Sequence, residues 1–143
     1  MNSLVVDASV VLKWYIPDEQ IECADRIKID FLDKRVLLLA PSIIHYEINN
    51  VVLNAVKSNR LSLNKATLAL RDFYYSDIKF HSSPSLLLFS FKVAEKLNIS
   101  SYDASYVALC QMAKAPFYTA DPRLLEKVKN KVPLVKPLAS YSH

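Results

Sequence analysis

Four acids in this chain stand where a carboxylate needs a reason to be: Asp7, Glu47, Asp103 and Asp121. Asp7 ends the apolar run SLVVD and precedes a helical pattern, so a buried strand would deliver it to the edge of a sheet. Its structural alternative is an N-cap, in which the carboxylate accepts a backbone N–H at a helix start, and local sequence favours that alternative. Glu47 lies four residues after Ile43 and four before Val51, which puts it on the apolar stripe of a helix, with Asn50 and Asn54 extending a polar seam beside the core face; its structural alternative is a carboxylate hydrogen-bonded internally or lying at the stripe's margin. Asp103 has Val107 and Cys110 on its own helical face, while Ser100 three residues earlier forms a capping-box spacing. Asp121 follows an apolar run and directly precedes Pro122, the pattern of an N-cap with proline in the first turn. Each acid alone has an ordinary structural explanation.

Together they support a different one. Two follow strands and two face inward from helices, and a parallel sheet can gather all four at one edge. Carboxylates about 4 Å apart repel by roughly 4 kcal/mol at an effective dielectric near 20, so such a cluster needs protons or cations. Oxygen ligands without His or Cys favour magnesium or manganese over zinc, held by a few carboxylates with water and substrate phosphate. Ions of this kind activate a water and offset charge on a phosphate under attack. Glu47 or Asp103 could also accept the proton of that water.

The elements needed to position these acids are legible. Apolar runs at Leu4–Val6 and Leu37–Ala40 read as buried strands, joined by shorter candidates at IKF from Ile78, FYT from Phe117 and LV from Leu134. Helical periodicity fills the intervals near 9–15, 18–34, 42–58, 63–75, 84–97, 101–114 and 122–129. Pro41, Pro84 and Pro122 suit first-turn or pre-helix positions, where a missing N–H costs nothing. The alternation predicts an α/β fold, a mainly parallel sheet of about five short strands flanked by helices, spanning residues 1–143 as one domain. Ligands of such sheets sit at the carboxyl ends of the strands.

Composition narrows the function. The chain has no glycine, which argues against the phosphate-cradling loops of P-loop and Rossmann nucleotide sites. Its apolar runs are shorter than the roughly 18 residues of a membrane span, and Asp7 interrupts what would be a leader, so a cytoplasmic location is expected. Cys23 and Cys110 lie far apart and without zinc-like spacing, and Cys110 reads as a small buried hydrophobe. Basic and acidic residues number thirteen each up to Asp121; beyond it Arg123, Lys127, Lys129, Lys131 and Lys136 face only Glu126, which accounts for the net charge of +4. That basic stretch would attract a nucleic-acid backbone, with Arg123, Lys127 and Lys129 as candidate phosphate contacts, although a solvated helix face has the same composition.

The segments VVDASVVLKWYIPDE, APSIIHYEINNVV, SYDASYVALC and FYTADPRLL resemble, in order, the four acidic motifs of PIN domains, and the likeness spans almost the whole chain. The DAS and KW residues of the first segment and the YDA of the third are most similar to the VapC branch of toxin–antitoxin systems. The resemblance implies an endoribonuclease that hydrolyses RNA phosphodiester bonds with Mg2+ or Mn2+, usually as a homodimer, and is neutralised by a small cognate antitoxin. Carried over by position, Asp7, Glu47, Asp103 and Asp121 are the metal-site acids, and Ser9 and Thr119 are hydroxyl residues that orient carboxylate or water. The missing glycine is a departure, notably in AKAPF before the fourth strand, where it bears on a turn rather than the site. A haloacid-dehalogenase-like phosphatase is disfavoured because its second acid would fall where Ser9 stands. The alternative is a catalytically silent PIN-like module that binds RNA or protein.

Overall fold

The structure is a computed structural model that describes residues 1–142. Among the described residues five strands are interspersed with seven helices: β1 (Asn2–Val6), α1 (Ala8–Tyr15), α2 (Glu22–Leu32), β2 (Val36–Pro41), α3 (Ile44–Lys57), α4 (Leu63–Tyr74), β3 (Lys79–His81), α5 (Pro84–Leu97), α6 (Ser101–Ala113), β4 (Phe117–Thr119), α7 (Pro122–Val128) and β5 (Val135–Pro137). Short 3-10 turns at Pro17–Glu19 and Leu138–Ser140 complete the path. The strands form one sheet in the order β3-β2-β1-β4-β5, and every neighbouring pair is parallel. This is the α/β architecture expected from the alternation.

The order has a functional consequence. From β1 the chain steps outward to β2 and β3, then returns to the other side of β1 to lay down β4 and β5. The switch point therefore falls between β1 and β4, which pair through Val5 with Phe117 and Val6 with Tyr118. Crevices at the carboxyl ends of strands at such a point are where open α/β sheets bind ligands. Asp7 is the first residue after β1, and Asp121 lies two residues after β4.

Burial explains the elements. β1 and β2 are covered on both faces, so Leu4, Val5, Val6, Leu38, Leu39 and Ala40 are all buried and no apolar–polar alternation survives. α6 runs against β1, β2 and β4 and is buried at every position from Ala104 to Cys110, including the Cys110 thiol. Among the described residues no helix is long and apolar enough to cross a membrane.

One expectation changes, and a second can be placed on the backbone. The helix expected over 18–34 is divided, because Gln20 and Ile21 are extended and α2 starts only at Glu22. Arg60, after α3, holds the carboxylates of Asp18 and Glu19, each at 2.8 Å, and so ties the 3-10 turn to a distant loop instead of letting it run on as helix. The second concerns glycine. Lys34, Asn59, Asn98, Lys114 and Asn130 all take positive φ, between 52° and 63°. Lys114 does so as the C-cap of α6 in the AKAPF turn, a left-handed position where glycine carries no steric penalty. The departure noted in sequence is thus confined to the backbone of a turn.

Candidate active site

Asp7 occupies the N-cap position of α1, yet its side chain makes no capping hydrogen bond. Instead Ser9 Oγ donates to Oδ1 and Thr119 Oγ1 donates to Oδ2, each at 2.5 Å. The hydroxyls are themselves held by backbone: Ala120 N–H donates to Ser9 Oγ at 2.9 Å and Asp121 N–H to Thr119 Oγ1 at 3.1 Å. Asp7 is only 8% exposed and Thr119 fully buried. Burial pushes the Asp7 carboxyl up to about 6, against the pull of the two hydroxyls, and the nearby charge of Glu47 adds to the rise.

Glu47 projects from the start of α3, and its Oε1 accepts a 2.5 Å hydrogen bond from the Tyr106 hydroxyl of α6. Its carboxyl is raised by burial and by the charge of Asp103, and lowered by Tyr106. Glu47 lies at the margin of the apolar stripe, not on it: the buried ridge is Ile44, Ile48, Val52 and Ala55, while Asn50 and Asn54 are exposed. The seam expected beside the core is a solvent face, because the ridge runs one position out of step with Glu47.

Asp103 sits in the first turn of α6, whose N-cap Ser100 accepts from the Asp103 N–H at 3.0 Å. Burial and the charge of Asp121 raise its carboxyl, while the Ser100 hydroxyl, Lys127 and Arg123 lower it. Asp121 is a true cap, its Oδ1 accepting from Arg123 N at 2.9 Å and Leu124 N at 3.4 Å. The four acids therefore form an electrostatic chain, Asp7 to Glu47 to Asp103 to Asp121, along the carboxyl edge of the sheet.

No family model matches the sequence. Curated relatives do: among them, Ribonuclease VapC3 of Pyrobaculum aerophilum is 32% identical over 126 residues, 87% of this chain and 93% of the relative. Ribonuclease VapC1 of Mycobacterium tuberculosis is 30% identical over 125 residues, 87% of this chain and 90% of the relative. The chain belongs to the VapC ribonuclease family. Solved structures carry the same fold at lower identity. PAE2754 from Pyrobaculum aerophilum superposes with a TM-score of 0.69 at 21% identity, covering 96% of this chain and 92% of that one. VapBC2 from Rickettsia felis, solved bound to a DNA fragment from its promoter, gives 0.63 at 13% identity, covering 94% and 96%. A toxin–antitoxin complex from Klebsiella pneumoniae gives 0.61 at 14% identity, covering 98% and 99%.

Within this VapC-family fold the donor set suits a hard divalent ion. Among the described residues no three His, Cys, Asp or Glu side chains converge closely enough to hold an ion unaided. Magnesium commonly takes only one or two carboxylates, with water and phosphate completing its shell, and Oε2 of Glu47 and Oδ2 of Asp121 accept no hydrogen bond among those residues. A cavity of about 440 Å³ lined by Trp14, Phe31, Leu32, Val36 and Tyr75 lies toward the start of β2, and none of the four acids borders it.

The basic residues divide. Arg123 and Lys127, one turn apart on α7, act on Asp103 and so stand beside the acids, whereas Lys129 is the exposed C-cap at the far end of that helix. Tyr106 is the site residue that sequence reasoning missed. Its signal was a tyrosine on the buried face of α6, three residues after Asp103, whose hydroxyl would need a partner.

Proposed function

We propose that this chain is a Mg2+- or Mn2+-dependent endoribonuclease, a single PIN-like domain over residues 1–143 acting as the toxin of a VapBC-type pair. The observation that carries the reading is the coupled chain of Asp7, Glu47, Asp103 and Asp121 at the switch point between β1 and β4. Three of these carboxyls are raised mainly by burial, and buried and half-buried carboxylates that also repel one another form an arrangement that a cation would complete. Glu47, Asp103 and Asp121 would hold the ion with Asp7. When bound, it lowers the pKa of a water and offsets charge on phosphate oxygens.

The protein's own groups do the rest. Ser9 and Thr119 fix both oxygens of Asp7, so its orientation does not depend on the substrate. Arg123 and Lys127 draw an RNA phosphate toward the acids, with Lys129 as an outlying contact. Glu47 or Asp103 accepts a proton from the attacking water. The names of the relatives support RNA as the substrate, and the complexes among the solved structures support a small antitoxin as partner. A second copy of the chain is the other expected partner, and α5 offers it an exposed apolar face of Leu87, Leu88 and Phe91. A cytoplasmic location goes with this reading.

The test is cleavage of single-stranded RNA by the purified chain. Cleavage should stop in EDTA and return when Mg2+ or Mn2+ is added in excess. Undiminished cleavage in chelator would overturn the metal mechanism, and absence of cleavage in either metal would leave a binding module.

A further inference from the structure

Tyr106 is 2% exposed, and its ring stacks on Phe117 of β4 with centroids 5.5 Å apart and planes 17° from parallel. The stack fixes the ring against the sheet beside the switch point. From there the hydroxyl crosses from α6 to α3 and donates to Glu47 Oε1 at 2.5 Å. Among the described residues that carboxylate is its partner, and Oε1 accepts from nothing else.

Packing alone does not require this bond. The ring is held by its stack whether or not the hydroxyl is present, so a phenylalanine would fill the same space and bring no polar group into the interior. What the hydroxyl adds is an effect on Glu47, a long side chain that would otherwise sample several rotamers at the edge of the apolar stripe. A neutral donor suits a cation site better than a charged one would. An ammonium or guanidinium on Oε1 would cancel the carboxylate's charge and repel an incoming ion, whereas a phenol orients the carboxylate and leaves its charge in place.

We propose that Tyr106 is a positioning residue of the acidic site, holding Oε1 of Glu47 so that Oε2 is presented to a divalent cation. The inference rests on the reading of Glu47 as a metal-site acid. It identifies a second layer, Phe117 to Tyr106 to Glu47, which ties the cation's ligand to the strand beside the switch point.

The test uses Tyr106→Phe, which keeps the ring and removes only the O–H. Mn2+ binding to the full chain is measured by calorimetry without RNA, and thermal unfolding is followed in EDTA. Loss of an outer-layer hydrogen bond commonly weakens metal affinity by about 10- to 100-fold, so Tyr106→Phe should bind Mn2+ at least about 10-fold more weakly. Half-maximal cleavage should shift to higher Mn2+ by a similar factor, with the rate largely restored at saturation. In a Glu47→Gln background, Tyr106→Phe should cause no further loss of Mn2+ affinity, because the two residues act as one unit. If the wild type binds Mn2+ and Tyr106→Phe binds it equally well, the bond is only a cross-link between α6 and α3. Should Tyr106→Phe be too unstable to titrate in plain buffer, it and the wild type are both titrated at low temperature with a stabilising osmolyte: weaker Mn2+ binding by folded Tyr106→Phe supports the proposal, and equal affinity overturns it. A wild type that binds no Mn2+ removes the site reading itself and this inference with it.

Discussion

At the β1–α1 junction Asp7 lies between Val6 and Ala8, and at the β4–α7 junction Asp121 lies between Ala120 and Pro122; both take the N-cap position of the helix that follows. Only Asp121 caps. Its Oδ1 accepts from two amides of α7, whereas at the start of α1 the Val10 and Val11 amides donate to the Asp7 backbone carbonyl and the carboxylate oxygens accept from the hydroxyls of Ser9 and Thr119. The same residue type in the same local setting is thus put to different use. The deciding groups are hydroxyls, and one of them arrives from 112 residues away in sequence. Thr119 and Ser9 also join the junctions, since each hydroxyl that donates to Asp7 accepts a backbone N–H from Ala120 or Asp121.

The sharpest way to break the comparison is Asp7→Asn. Metal-assisted stabilisation of a transition state is worth several kcal/mol, which at about 1.4 kcal/mol per factor of ten predicts at least a roughly 100-fold loss of RNA cleavage. The fold should gain. The Asp7 carboxyl ordinarily titrates at 3.8 and is pushed to about 6 in the folded chain, so the native state binds the proton more tightly than the unfolded state does. Its destabilising effect is absent below pH 3.8, grows between the two values and is full above about pH 6. A shift of that size corresponds to about 3 kcal/mol, and Asp7→Asn should recover part of it at pH 7.5 in EDTA. The amide remains compatible with its neighbours, since a hydroxyl can turn to accept from it. Denaturant unfolding and cleavage measured on one preparation check both halves. A variant that cleaves as well as the wild type would show Asp7 to be structural after all.

Thr119→Val tests the link between the junctions. It keeps the shape and removes one donor to Asp7 together with one acceptor for the Asp121 N–H. Leaving a buried donor unpaired costs about 1–3 kcal/mol, so chemical denaturation should show a loss within that range. Wild-type stability would mean that the junctions are independent.

Much of this was legible from residues alone, for reasons that differ by position. β4 is found at Phe117–Thr119 as expected, because a short apolar run between proline-marked turns has few alternatives. α5 and α6 keep their bounds to within a residue, since Ser83 and Ser100 are N-caps whose side chains accept the amides of Leu86 and Asp103. The helix expected over 18–34 failed because Arg60, forty residues onward, holds its first turn aside. The site was legible in type and not in geometry: Asp7 read locally as a cap, and the hydroxyl that overrules that reading belongs to β4. Tyr106 was overlooked for a related reason. Aromatic residues on a buried helical face usually serve packing, and only the contact with α3 gives its hydroxyl a role.

The smallest effect, and the one that sharpens the contrast most, is expected at Asp121. Here the cap is real, so Asp121→Ala should destabilise the chain by about 0.5–2 kcal/mol, the usual loss when an acidic N-cap is removed. Pro122 limits the damage, because it has no N–H to be orphaned and its fixed φ still favours the first turn of α7. Asp121→Asn separates the two possible duties of the side chain. Asparagine caps about as well as aspartate, so its oxygen can still accept from Arg123 and Leu124, and the melting temperature should stay close to that of the wild type. What it lacks is the charge that couples Asp121 to Asp103. If Asp121 also serves the cation, Asp121→Asn should lose cleavage at wild-type stability, and Asp121→Ala should lose both. Full cleavage by Asp121→Asn would leave the β4–α7 acid as a cap alone and restrict the site to Asp7, Glu47 and Asp103. The two junctions would then differ in function as completely as they differ in hydrogen bonding.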